Sequence, residues 1–349
     1  MPSYGGAAYG GIVSIFATNG SVATGPIFTL GGVGGQAGTA IGRNDHPSSS
    51  ISLDTQGGHG SAGGGIIIRA GGSIVTGALL SGGGPGGNAT SGVVEAFGGP
   101  STSLFRNAEA GMAGEGGQIS FYSNTGSITS GIVNSAGGKG GSSGLGGGDG
   151  AWGGFGGNVL FEVGSESGQI KIGPTALPGV FLNVIVASGG DGGAGGAAAS
   201  PAGNGGGGGD GGRVDLIAPV LTINGKIITN GGNAGAGGAG GGLEGPGGAG
   251  GNVDLLGNSP TQVTFWNAGF NLAGSVLNAG GAGNPPGNAG ITFLDGTAQF
   301  LFAEVPVSVL NTLFSDLIPP PPKQEEASQG ESDEEKERKA RMAICRPRT

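Results

Sequence analysis

A short apolar segment recurs seven times along the chain, each time directly after a run of glycines. Consecutive copies start 53, 53, 40, 55, 39 and 38 residues apart, which gives a short spacing near 40 and a long one near 54. A unit with so few apolar residues cannot bury its apolar face alone, so the repetition predicts that successive units stack. The copies begin at Val13, Ile66, Ile119, Val159, Val214, Val253 and Ile291.

The repeated segments have the pattern of β-strands. They are rich in Val, Ile, Phe and Thr and alternate apolar with polar residues, and most copies are followed by a second such segment, for example 73–77. No part of the body has the spacing of an amphipathic helix over three turns. We therefore predict an all-β fold, a parallel β-helix (β-solenoid) of about seven rungs over residues 1–302, with a length of about 34 Å. One inward aliphatic column is expected to contain Val22, Ile74, Ile128, Ile227 and Val276.

Glycine supplies 90 of the 349 residues, which is far above ordinary usage of about 7 per cent. The glycine runs show no strict triplet with abundant proline, so they exclude a collagen helix. Two alternatives remain open for these runs. They are flexible loops, or they are polyglycine-II-like segments packed side by side, with threefold turns and a rise of about 3.1 Å per residue. The second alternative needs close backbone approach, which glycine permits.

The end of the chain differs from the repeats. We expect the strand register to break beyond Leu294 and predict that the apolar segment 303–318 caps the end of the stack, where an open edge would aggregate. Residues 319–349 are expected to form a disordered tail, first rich in proline and then charged.

Charge excludes one class of partner. Residues 323–349 hold seven basic and seven acidic residues, so the net charge of −9 belongs to the body. A mildly acidic body without a basic stripe argues against nucleic-acid binding. No apolar stretch is long enough to predict a transmembrane segment. The first residues lack the features of a secretory signal, so we expect any export signal outside this chain, which we interpret as a fragment of a longer exoprotein.

Several aspartate and histidine residues could bind a metal ion or act in acid–base catalysis, but their spacing predicts neither kind of site. Asp149, Asp191 and Asp210 lie in glycine runs without the offsets of a calcium-binding nonapeptide. Asp215 and Asp254 occupy equivalent positions in neighbouring rungs, which we interpret as an exposed polar column rather than an acid–base pair. We predict no catalytic residue, no cofactor and no metal site. We also predict no metal site or acid–base pair in the polar stretch that contains Asp45, His46, Asp54 and His59, because the spacing of these residues matches no known metal-ligand pattern.

One column of polar residues remains as a candidate surface feature. Hydroxyl and amide side chains follow the apolar residues of the second strand in five copies, which predicts a stacked polar ladder on the surface that stabilises the sheet. Stacked hydroxyls on a flat sheet can also bind ice or sugars. The members are Thr24, Thr76, Ser130, Thr229 and Asn278.

The repeat consensus, clearest at 211–255, resembles that of glycine-rich bacterial exoproteins of the filamentous-haemagglutinin type. It reads GG-[NRQ]-[VI]-x-[LF], then L-x-ING-x-I-x-x-NGG, and covers most of residues 11–295. The glycine runs also look like those of mycobacterial glycine-rich surface repeats. The N-terminal domains that define these two families are not visible in this sequence.

The resemblance implies a secreted or cell-surface protein without catalysis: an adhesin, a biofilm-matrix component or a surface scaffold. Its expected partners are host-cell or matrix glycans, or further copies that associate end to end. Three alternatives stay open, namely a filament-forming surface subunit, a polysaccharide-active β-helix enzyme, and an ice- or mineral-binding module.

Overall fold

The computed structural model describes residues 7–37, 41–44, 51–89, 93–96, 104–144, 147–174, 180–197, 202–257 and 261–302. Within 41–44, 51–54, 93–96 and 104–107 it describes the backbone only. All of these residues belong to the unit Met1–Ala303. The predicted cap at 303–318 and the predicted tail at 319–349 lie outside the described residues.

Three parallel sheets, called A, B and C, form the body. Each of the first six rungs contributes one strand to each sheet in turn, and among the described residues the seventh rung contributes strands to sheets A and B. Sheet A contains Val13–Ala17, Ile66–Ala70, Ile119–Ser123, Val159–Val163, Val214–Ile217, Val253–Leu256 and Thr292–Leu294. Sheet B contains Val22–Ala23, Ile74–Val75, Ile128–Ser130, Gln169–Ile172, Val220–Ile223, Thr261–Trp266 and Gly296–Leu301. Sheet C contains Ile27–Phe28, Leu79–Leu80, Val133–Asn134, Asn183–Val186, Lys226–Ile228 and Val276–Leu277. The predicted parallel β-solenoid is thus confirmed.

The register corrects two details of the sequence prediction. Val253 pairs with Thr292 and not with Ile291, so the last spacing is 39 residues. The register also continues beyond Leu294, because Gly296–Leu301 adds a full parallel strand to sheet B. This strand was missed because its sequence, GTAQFL, contains few β-branched or aromatic residues.

The core lies between the three sheets and consists of side chains that alternate inward along each strand. The rings of Phe121 and Phe161 stack in adjacent rungs with their centroids 4.7 Å apart. The residues of the predicted aliphatic column are buried, but they form two columns in different sheets. Val22, Ile74 and Ile128 share sheet B, whereas Ile227 and Val276 share sheet C.

The glycine runs are ordered as a second layered structure beside the solenoid. After sheet C the chain leaves in an outgoing arm, and it comes back to sheet A of the next rung in a return arm. The arms lie side by side as an outgoing layer and a return layer, which together we call the polyglycine bundle. The outgoing arms are 30–37, 82–89, 136–144, 188–196, 230–238 and 279–283, and the return arms are 7–12, 57–65, 110–118, 147–158, 203–213, 242–252 and 285–291.

Backbone hydrogen bonds in the bundle repeat every three residues. In each triplet, an outward residue is followed by a first glycine position and a second glycine position. The first position donates to an outward residue of the next arm in the same layer, as Gly189 does to Asn230 at 2.9 Å. The second position donates to the opposite layer, as Gly190 does to Gly154 at 2.8 Å. A period of three is that of a polyglycine II helix, so the ordered alternative holds for the described arms.

Most triplets have glycine at the first and second positions, although Ala151 and Ser61 occupy second positions. The pattern is hidden in the sequence because turns interrupt it and its phase changes between arms. Where glycine stands in the interior, as at Gly190, it allows close approach and is not needed for a left-handed backbone. A Cβ atom on Gly190 would lie within 3.0 Å of the carbonyl of Gly138. At Gly65, which holds an outward position, the nearest atom would be 3.8 Å away. Proline is accommodated at outward positions such as Pro85, where no interior donor is needed.

Additional strands occur where the first two loops are longest. Ile41–Asn44 pairs with Val93–Ala96, and Ile51–Gln56 pairs with Leu104–Glu109, both in parallel. Part of the long spacing class therefore reflects ordered extensions. Among the described residues the only α-helix is Leu272–Ser275, whose N-cap Asn271 accepts a hydrogen bond from the backbone of Gly274.

Candidate binding surface

The predicted polar ladder is not a single exposed column. Thr24, Thr76 and Ser130 belong to sheet B, where Thr76 and Ser130 are buried and their hydroxyls lie 3.3 Å apart. Thr229 and Asn278 belong to sheet C, and Thr229 is fully buried. The prediction of one surface column is therefore wrong. Similar segments, SIVTG in sheet B and KIITN in sheet C, gave no local signal to separate the two sheets.

A column of buried hydroxyls does exist in sheet C, and it connects the solenoid to the bundle. Each hydroxyl donates to the carbonyl of a glycine near the end of a return arm, as Thr29 does to Gly64 and Thr229 to Gly251, both at 2.9 Å. These groups are already paired, so they stabilise the junction between the two structures rather than offer a surface to a ligand. The members are Thr29, Ser81, Ser135 and Thr229.

Acidic and amide side chains in the glycine runs serve the backbone. An outward residue other than proline has an N–H that faces away from the bundle, and at several positions a side-chain oxygen of the preceding arm accepts from it. Asp191 Oδ1 accepts from Asn233 N at 2.8 Å, and Asp210 Oδ1 accepts from Ala249 N at 2.7 Å. His59 does the same with a ring nitrogen, since Nδ1 accepts from Met112 N at 3.0 Å. These outward residues act as hydrogen-bond caps of the arms.

The other members of the predicted polar stretch give no cluster. Asp45 and His46 lie outside the described residues, and only the backbone of Asp54 is described. The described ranges contain no group of three His, Cys, Asp or Glu side chains that could hold a metal ion.

Asp215 and Asp254 lie side by side in sheet A, as predicted, and a single cation joins them. Arg213 Nε lies 2.8 Å from Asp215, and Arg213 Nη2 lies 2.6 Å from Asp254. Partial burial raises the pKa of Asp215, although Arg213 opposes the shift. The hydrogen bond with Asp215 is the main cause that raises the pKa of Arg213. The arrangement is that of a surface ion-pair network.

Three exposed apolar side chains at neighbouring positions of the return layer form a different feature, which we call the apolar patch: Met112, Trp152 and Phe155. Met112 and Trp152 hold equivalent outward positions in adjacent arms, and Phe155 follows Trp152 by one triplet. About half of each side chain is exposed. A Cβ atom on Gly207 would lie 2.6 Å from the Trp152 ring, so this ring covers a glycine at an outward position of the next arm.

No family model matches this chain, and searches of curated proteins and of solved structures find no similar protein. Function is therefore inferred from geometry. The apolar patch offers flat rings on a rigid, hydrogen-bonded backbone, with Glu115 and Asp210 in equivalent positions on either side of Phe155. Such a surface can bind a ligand through van der Waals contact with the rings and hydrogen bonds to the carboxylates.

Trp152 is one of only two tryptophans in the sequence, but its residue type does not predict the patch. The signal that would have revealed it is the triplet phase, which places residues 112, 152 and 155 on one outward face. Among the described residues, no helix has the length and apolar character to cross a bilayer.

Proposed function

We propose that this chain is an extracellular or cell-surface structural protein that adheres through the apolar patch to neutral glycans of a matrix or a host cell, without catalysis. The observation that supports this most directly is the half-exposed pair of rings, Trp152 and Phe155, on a rigid layer. Scattered exposed apolar residues are normal, but adjacent aromatic rings on one face are a typical contact surface.

The chemistry of the patch suits a sugar ring. Flat aromatic rings pack against the apolar C–H face of a pyranose, and the carboxylates of Glu115 and Asp210 can accept hydrogen bonds from its hydroxyls. Little conformational entropy is lost on binding, because the backbone beneath the rings is already fixed by the hydrogen bonds of the bundle. The resemblance to secreted bacterial exoproteins agrees with this role.

Adhesion to immobilised cellulose, chitin and dextran tests the proposal. We expect the wild-type chain to bind at least one of these and the Trp152→Ala/Phe155→Ala double variant to lose at least tenfold in affinity. Both side chains are outward, so the double variant should remain folded by circular dichroism. Lys139→Ala, which removes an outward side chain of the outgoing layer, is the matched control and should bind as wild type. Unchanged binding by the double variant would contradict the proposal.

A filament-forming subunit is a second candidate, favoured by the glycines of the first rung. No atom of the described residues lies within 4 Å of a Cβ atom built on Gly11, Gly20 or Gly25, whereas the equivalent glycines one rung later contact the preceding rung. A further rung stacked on this end would need glycine at these positions. The last rung of a second copy could act as this further rung, and head-to-tail stacking of this kind produces open filaments.

Electron microscopy with sedimentation separates this candidate from a monomeric shaft. Gly25→Val places a side chain where no described residue lies within 4 Å, so the monomer should stay folded while stacking is blocked. The filament candidate predicts fibres for the wild-type chain and none for Gly25→Val. A wild-type chain that sediments as a monomer at high concentration would rule it out.

A further inference from the structure

A groove of about 400 Å³ lies on the first three rungs, where the strands of sheet A end and the chain turns towards sheet B. This volume is within the range of small-ligand sites, about 300–1,000 Å³. Its walls include three outward side chains in one register column, Phe16, Arg69 and Tyr122. The groove is separate from the apolar patch, which lies on the polyglycine bundle.

Arg69 lies between two aromatic side chains. Adjacent strands are about 4.8 Å apart, so Phe16 and Tyr122 stand about 9.6 Å from each other with the arginine strand between them. Phe16 is 65% exposed, and Asn124 closes the groove on the side of Tyr122. The Tyr122 hydroxyl donates to Asn124 Oδ1 at 3.5 Å, and the amide nitrogen of Asn124 donates to none of the described residues, so it can donate to a ligand.

The guanidinium of Arg69 makes no ion pair with any described residue. Both ion pairs found in the described ranges belong to Arg213, which binds Asp215 and Asp254 on the same face of sheet A. The next residue beyond Tyr122 in the column of Arg69 is Glu162, two rungs away from it. Arg69 is therefore an exposed cation that has no counter-ion among the described residues, in a body of net negative charge.

We infer that this groove binds a carboxylated sugar unit, the uronic-acid residue of an acidic polysaccharide. The Arg69 guanidinium pairs with the sugar carboxylate in a bidentate manner, and the sugar ring packs against Tyr122 or Phe16. Asn124 donates to a ring hydroxyl. This ligand class rests on the adhesive function proposed above and adds a second, charge-selective contact to it.

One arginine between two rings favours a carboxylated sugar over a polyphosphate. A polyphosphate carries its charges closer together along the chain than a polyuronate, which has one carboxylate per sugar ring. Densely charged polymers bind through many cations that release counter-ions, and the described lining of the groove has a single cation. The aromatic side chains on both sides can also pack against a sugar ring, and a phosphate group has no ring to pack against them.

Calorimetric titration with oligogalacturonate tests the inference, with a neutral dextran oligomer and a sulfated dextran oligomer as comparisons. We expect wild type to bind oligogalacturonate more tightly than either, and Arg69→Gln to bind it at least tenfold more weakly. Arg69→Lys keeps the charge but loses the bidentate geometry, so it should be intermediate. Lys139→Gln removes the same charge from the outgoing layer and should bind as wild type.

Three results would overturn the inference. The first is that Arg69→Gln binds oligogalacturonate as tightly as wild type does. The others are that wild type binds the neutral oligomer, or the sulfated oligomer, as tightly as oligogalacturonate. The Trp152→Ala/Phe155→Ala variant should keep its affinity for oligogalacturonate while it loses adhesion to neutral polysaccharides. If neutral adhesion is observed but oligogalacturonate binding is not, the groove assignment fails and the proposed adhesive function stands. If the wild-type chain binds no polysaccharide of either kind, both fail.

Discussion

The solenoid and the polyglycine bundle are made by the same chain, rung by rung, but they are packed by opposite means. In the solenoid, inward side chains such as Ile68 and Phe161 fill the space between three sheets. In the bundle, the space between the arms is filled by backbone, and glycines such as Gly190 leave no room for a Cβ atom. Close packing is reached in one region by large side chains and in the other by their absence.

This difference separates the kinds of change that each region tolerates. A core side chain of the solenoid contributes its buried apolar area, so its removal leaves a cavity. An interior glycine whose Cβ atom would meet backbone, such as Gly190, contributes only close approach, so the addition of a single methyl group there pushes the arms apart and disturbs hydrogen bonds on both sides. Outward positions are permissive in both regions.

Removal of a core ring should have the largest effect. Phe161→Ala deletes a fully buried ring that stacks on Phe121, and we expect the free energy of unfolding to fall by about 3–5 kcal/mol in urea titrations. Glu162→Ala, on the outward side of the same strand, is the control and should change stability by less than about 0.5 kcal/mol. A similar loss of free energy of unfolding for both variants would show that inward side chains do not stabilise the solenoid more than outward ones.

Addition of a methyl group should come next. In Gly190→Ala the new Cβ atom would overlap the carbonyl of Gly138 and disturb the hydrogen bonds to Gly154 and from Gly209, with an expected loss of about 3 kcal/mol. The same change at Gly65, an outward position, should be neutral or stabilise by up to about 1 kcal/mol. Urea titration of both variants measures the contrast, and a neutral Gly190→Ala would disprove backbone packing as the origin of the order.

The hydrogen-bond caps should have a smaller effect. Asp191→Ala removes the oxygen that accepts from Asn233 N, and we expect a loss of about 0.5–1.5 kcal/mol in thermal or urea unfolding. Asp191→Asn keeps an acceptor oxygen and should be close to wild type. If the asparagine variant were as destabilised as the alanine variant, the negative charge and not the acceptor would matter.

The smallest effect concerns pH and the outward face of the solenoid. Because burial raises the pKa of Asp215, the folded chain holds this proton more tightly than the unfolded chain. The stability that the protonated form provides is complete below the ordinary pKa of an aspartic acid and is lost as the pH rises through the raised value. Relative to Asp215→Asn, wild type should therefore lose stability over this window, measured as thermal midpoints from about pH 3 to 7. A relative gain would mean that the attraction of Arg213 outweighs burial.

Much of the fold could be predicted from the sequence, because the recurrence of β-branched and aromatic segments reports directly on parallel stacking. The strand pairs Ile66 with Ile119 and Val214 with Val253 follow from alignment of the repeats. The division between sheets B and C could not be predicted, since Thr76 and Thr229 have similar neighbours in sequence. That division depends on where the chain turns, and the turns differ in length from rung to rung.

Less of the candidate site could be predicted. Trp152 stood out by residue type alone, but its proximity to Met112 follows from the pairing of arms 40 residues apart in sequence. Arg69 gave no local signal, because its aromatic neighbours Phe16 and Tyr122 are each 53 residues away. Surface sites of this fold are assembled across rungs, so they become visible only when the register of every rung is known.

The three-residue period of the arms has a consequence for the gene. A loop can gain one triplet in its outgoing arm and one in its return arm, while every existing residue keeps its inward or outward position. An insertion of one or two residues would instead place a side chain where the interior has no room for it. Gain or loss of three codons in each of the two arms is therefore the step by which the bundle can widen or narrow while the rungs that carry it stay unchanged.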